Sequence, residues 1–153
     1  MAWIFSLSAE CGPNKHKAEA VAKHFDRYIA VLDDGSRYPC SSHVSGIGGA
    51  WWAVCCPDDV SRTGVNSEDD ERVMTAVGLA LYDHLKTSPS HRYALVGVEV
   101  DGFRDYDEID NDVIELDFSG LVLSDELWRH LDAPGMFVPF ASGYHWRPFV
   151  RAR

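Results

Sequence analysis

Arg92-Tyr93-Ala94-Leu95-Val96-Gly97-Val98-Glu99-Val100-Asp101 is the stretch that decides the fold. Ala94, Val96, Val98 and Val100 fall at every second position, the period of a strand with one face turned to a core. Val113 to Phe118 repeats the pattern, with Ile114, Leu116 and Phe118 on one face. Two alternating stretches joined by a polar connection predict neighbouring antiparallel strands.

Working outward, Ala2 to Ser8 is apolar with aromatic content and predicts a first strand, broken at Cys11-Gly12-Pro13-Asn14. From Asn14, Ala18, Val21, Ala22 and Phe25 recur at three- and four-residue spacing, which predicts an amphipathic helix with Lys15, Lys17, Glu19 and Lys23 towards water. Tyr28 to Leu32 reads as a short strand, Asp33-Asp34-Gly35-Ser36 as a turn, and Arg37-Tyr38 as the start of the return. Ser41 to Gly49 is rich in Ser and Gly and shows no hydrophobic period, and Ala50 to Cys56 is a continuous apolar run that predicts a buried strand. Ser67 stands as N-cap before Glu68, Asp69, Asp70 and Glu71, acids suited to a positive helix end. Val73, Val77, Leu81 and Leu85 mark the buried stripe of that helix, which ends near Ser88-Pro89. Gly120 to Leu123 continues as a strand, and Ser124 caps a short helix holding Leu127, Trp128 and Leu131. The whole predicts one α+β domain over residues 1–153, a mainly antiparallel sheet with two principal helices packed on one face.

Charge is distributed unevenly. Glu99, Asp101, Asp105, Asp107, Glu108, Asp110, Asp112, Glu115 and Asp117 place nine acids in nineteen positions, against the single base Arg104. That segment carries eight of the ten net negative charges of the 153-residue chain. Glu99, Asp101, Glu115 and Asp117 lie on or beside the two alternating stretches, where like charges on adjacent strands are unfavourable. A concentrated field of one sign steers and holds a partner of the other sign. The bland alternative is a solvated acidic loop that aids solubility. A calcium loop fails on spacing: with Asp105 first and Asp107 third, Ile109 takes the fifth place and Asp110 the sixth, where the EF-hand requires glycine.

A sequence pI near 5.0 argues against direct nucleic-acid binding, whose footprint is basic. No stretch approaches the roughly 18 apolar residues of a membrane span, and Met1 to Leu7 lacks the charged start of a signal peptide; the expectation is a cytoplasmic protein. Cys11, Cys40, Cys55 and Cys56 include no Cys-x-x-Cys pair, and free, partly buried thiols are expected. Cys40-Ser41-Ser42-His43 offers two zinc ligands without a second half-site. Gly46-Ile47-Gly48-Gly49 lacks the Gly-Lys-Ser/Thr ending of a phosphate loop, and no helix pattern follows it. Neither a metal nor a cofactor is expected, and no catalytic residue is assigned. The aromatic tail holds Phe140, Tyr144, Trp146 and Phe149. Tyr144 and Trp146 are of the types that dominate interface hot spots, although closing the core as a last strand is the simpler use.

A small acidic α+β domain without a catalytic motif, with a localised anionic segment and a closing Gly143-Tyr144-His145-Trp146-Arg147-Pro148, resembles the immunity proteins of bacterial toxin–immunity systems. The resemblance implies an inhibitor that binds a cognate, basic protein toxin and occludes it. On this reading the partner-binding residues are the nine acids together with Tyr144 and Trp146. The rival expectations are a small hydrolase or transferase pairing Cys40 or Cys55 with His43 or His145, and an acidic nucleic-acid mimic.

Overall fold

In the computed structural model, which describes residues 5–58, 60, 68–98, 100, 106, 109, 119–131 and 137–148, alternation and backbone pairing produce one eight-stranded antiparallel sheet. Strands β1 (Phe5–Glu10), β2 (Ile29–Val31), β3 (Arg37–Ile47), β4 (Ala50–Pro57), β5 (Tyr93–Val98), β6 (Val122–Ser124), β7 (Val138–Ala141) and β8 (Tyr144–Trp146) are arranged in the order β2-β3-β4-β1-β5-β6-β8-β7. The helices are α1 (Lys15–Phe25), α2 (Glu68–Leu85) and α3 (Asp125–His130). The α+β architecture expected from the sequence is the one observed, with α1 and α2 against one face of the sheet.

The first helix begins where Asn14 accepts a hydrogen bond from the His16 amide, and buries Ala18, Val21, Ala22 and Phe25. The second keeps four acids in its first turn, where the helix dipole favours them; Ser67 lies outside the described residues. Val77, Leu81 and Leu85 are buried as the stripe predicts. The two helices are clasped at their C-terminal ends. His24 Nε2 lies 2.9 Å from the His84 carbonyl and His84 Nε2 lies 2.8 Å from the His24 carbonyl, with the rings stacked at 4.1 Å. At the third helix, the Ser124 hydroxyl accepts from the Leu127 amide, as a cap should.

Two expectations change. Ser41 to Ile47 is strand, because β3 pairs with β4 residue by residue from Cys40 opposite Pro57 to Ile47 opposite Ala50. A hydrophobic partner strand supplies the order that Ser and Gly lack by themselves. The turn is Gly48-Gly49, both at positive φ (59° and 81°), the conformation a two-residue hairpin demands. Second, β5 is buried on both faces: Ala94 and Val96 meet the helices, while Tyr93 and Leu95 enter a second core. Val100 joins the Tyr93 side, so the alternation breaks after Val98. Along its length β5 pairs with β1, and at Tyr93 and Ala94 it pairs with β6. The Val96 amide donates to the Tyr82 hydroxyl of α2 at 3.0 Å. The stretch Val113 to Phe118, expected as the neighbour of β5, lies outside the described residues.

Two cores result, one on each side of the sheet. The first lies under α1 and α2 and contains Phe5, Leu7, Phe25, Leu81 and Tyr82. The second contains Trp52, Val54, Tyr93, Leu95, Leu121 and Leu123 from the sheet, Leu127 and Leu131 from α3 and its end, and Val100 and Ile109.

Candidate binding face

β1 sits at the centre of the sheet and alternates strictly: Phe5, Leu7 and Ala9 face the helices, Ser6, Ser8 and Glu10 face the other way. Such a pattern predicts polar side chains in water. All three are instead buried, Ser6 at 1%, Ser8 at 0% and Glu10 at 0% exposure. Register explains it. Glu10 lies between Trp52 and Tyr93, and Ser8 between Val54 and Leu95, so bulky neighbours on β4 and β5 wall in a polar stripe.

A buried carboxylate must be paired and hydrogen-bonded. The Gly12 amide donates to Glu10 Oε1 at 2.6 Å, Arg92 Nε donates to the same oxygen at 2.7 Å, and an Arg92 terminal nitrogen donates to Oε2. This fork-to-carboxylate geometry raises the Arg92 pKa still further and fixes the guanidinium plane. Tyr106, from the acidic segment, lies with its ring 4.0 Å from the guanidinium carbon, a cation–π contact. Ile109, also in that segment, is 0% exposed, and Val100 is buried in the same core. The described residues of the 99–117 segment are therefore fastened to the second face of the sheet. Both Glu10 oxygens are engaged, so the chemistry here is tethering and charge neutralisation.

Glu99, Asp101, Asp105, Asp107, Glu108, Asp110, Asp112, Glu115 and Asp117, the nine acids of the expected partner-binding set, lie outside the described residues. Tyr144 and Trp146 are described, and both project to the helix side of the sheet. The Tyr144 hydroxyl accepts from the His91 amide at 3.1 Å and donates to the His91 carbonyl at 3.3 Å, while the two rings stack at 4.4 Å. Trp146 packs edge-on against Tyr82 at 5.0 Å and against Phe140 at 4.9 Å. Both are half-buried and occupied with contacts inside the molecule.

On the second face, His145 of β8 places Nδ1 2.9 Å from Asp125 and stacks on Trp128 at 4.0 Å. The Cys/His pairings considered from sequence are not formed. Cys40 and Cys55 belong to the helix-side core. His43, three residues beyond Cys40 on a strand, projects to the opposite side and is exposed, and His145 pairs across from Leu123 of the second core. The same parity separates Cys40 from His43 as zinc ligands. Among the described residues no group of three or more His, Cys, Asp or Glu side chains gathers to hold a metal ion. None of the four cysteines is in a disulfide, and burial, with Glu10 beside it, pushes the Cys11 thiol up to about 12.

Sequence reasoning missed the Glu10–Arg92–Tyr106 chain. Its members lie 82 and 14 residues apart, and no spacing signals them; the clue was one charged residue closing an otherwise uncharged strand. Among the described residues, no helix is long and apolar enough to cross a membrane. No protein-family model, no curated protein and no solved structure matches the chain.

Proposed function

We propose that this protein is a binding protein of the immunity type, which captures a basic protein toxin through the 99–117 segment and occludes it. One observation carries the reading: nine acids and one base in nineteen residues hold eight of the chain's ten net negative charges. A field so concentrated repels itself and costs stability, which favours its retention for a partner of opposite sign. Tethering supports the same reading. The segment follows β5 and precedes β6, neighbours in the sheet, and its described residues Val100, Tyr106 and Ile109 rest against the second face. Fixing a binding segment before the encounter lowers the ordering cost of association.

The test is protection. The parent chain, co-expressed with a toxin domain encoded beside its gene, should restore growth and co-purify with it at 1:1. A variant carrying Asp105→Asn, Asp107→Asn, Glu108→Gln, Asp110→Asn and Asp112→Asn should fold and fail to protect. Equal protection by parent and variant would remove the acidic segment from the function.

A further inference from the structure

Cys40 and Cys55 stand on adjacent strands and on the same, helix-covered face of the sheet. Ser42 is opposite Cys55 and Cys40 is opposite Pro57, so the two cysteines are one diagonal step apart. The Cys40 thiol donates to the Tyr38 carbonyl at 3.5 Å, and the nearness of the two thiols lowers the Cys40 pKa and raises that of Cys55, which burial raises further. Cys40 is the outer of the two, at 8% exposure against 1%. Pro57 has no amide to give, and the Cys40 amide donates sideways to the Tyr28 carbonyl at 2.8 Å.

We infer that Cys40 and Cys55 form a reversible dithiol–disulfide pair, with Cys40 the residue attacked by a hydroperoxide and Cys55 the residue that resolves it. In the first step the Cys40 thiolate attacks a peroxide oxygen. The O–O bond breaks, water or an alcohol leaves after protonation, and Cys40 becomes a sulfenic acid. In the second, Cys55 loses its proton and attacks the Cys40 sulfur. The S–O bond breaks, an S–S bond forms and a second water leaves. Two thiols are oxidised and one hydroperoxide is reduced. A small oxidant suits a sulfur so little exposed. Diagonal partners in a flat ladder have Cα atoms about 7–8 Å apart, just beyond the usual disulfide span of roughly 4.4–6.8 Å. Closing the bond therefore requires the backbone to draw the two strands together at this point, and the strained disulfide that results is of the readily reduced kind. Cys11 and Cys56 are internal controls. The Cys11 thiol is held protonated by burial, and Cys56, next to Cys55 on the strand, projects to the other face.

The experiment is hydrogen peroxide treatment of the reduced, folded full chain, followed by alkylation and peptide mass spectrometry. The expected product has lost two hydrogens, yields a peptide pair linked Cys40–Cys55, keeps Cys11 and Cys56 alkylated, and returns to four thiols with dithiothreitol. Cys40 should react about tenfold faster than Cys11, following its thiolate character. In a Cys55→Ser variant, Cys40 should stop at a sulfenic acid that dimedone traps. Should that variant fail to fold, the parent experiment decides alone. A different linkage, Cys40 no faster than Cys11, or four thiols still alkylated after peroxide would each overturn the inference.

Discussion

Glu10 is the only charged side chain that the described structure buries completely, and its energetics are asymmetric. Removing Arg92 leaves a carboxylate at 0% exposure without a counter-charge. Removing the Glu10 charge leaves a guanidinium that is already 35% exposed and can turn to water. Arg92→Ala should therefore destabilise by about 3–5 kcal/mol and Glu10→Gln by less, and the double variant should cost less than the sum. Denaturant unfolding of the three variants measures this, and equal costs for both single variants would contradict it. His91 makes a second residue-scale prediction. It is 5% exposed, its Nε2 has no hydrogen-bond partner among the described residues, and burial lowers its pKa to about 4. A depressed histidine binds its proton in the unfolded chain first. The stability it permits is complete above about pH 6.5 and is lost as pH falls towards 4, by on the order of 3 kcal/mol. The parent should lose that much more than a His91→Gln variant between pH 7 and pH 4 in matched unfolding curves. Parallel curves would refute the assignment.

At the scale of elements, legibility followed the source of order. The helices α1 and α2 were readable because their signals are local: Asn14 capping α1 before Lys15, and Val77, Leu81 and Leu85 along one side of α2. The second half of β3 was not, because Ser41 to Ile47 owes its strand conformation to β4 across the ladder. The burial of the polar side of β1 was not legible for a related reason, since it depends on Trp52 and Tyr93 flanking Glu10. The signal available and overlooked was Gly48-Gly49 between Ile47 and Ala50. Both glycines occupy the left-handed region, and a Cβ at either would meet open space, so substitution is resisted by backbone strain alone. Gly49→Ala should cost roughly 1–2 kcal/mol. Thermal unfolding tests this, and a neutral effect would mean that the turn refolds into another type.

Across the whole molecule, β1 organises both halves of the account. Its apolar side joins the helix core and its polar side ends in the carboxylate that, through Arg92, reaches Tyr106 of the acidic segment. The charge concentration was legible in the sequence because it is a property of composition. The tether was invisible because Glu10, Arg92 and Tyr106 meet only when β1 and β5 are paired. Tyr144 and Trp146, expected with the acids as partner-binding residues, lie on the helix side, whereas Tyr106 and Ile109 of the acidic segment lie on the other. Binding by the acidic segment should therefore tolerate changes at Tyr144 that preserve the fold. The central claim is that concentrated negative charge captures a basic protein partner. Its most direct test is the association rate with the basic toxin proposed as its partner, measured by stopped flow from low to high salt. The account predicts a fall of roughly 10- to 1000-fold, with the dissociation rate little changed and the five-acid variant slow at every salt concentration. An association rate that is flat with salt, and equal for parent and variant, would contradict it.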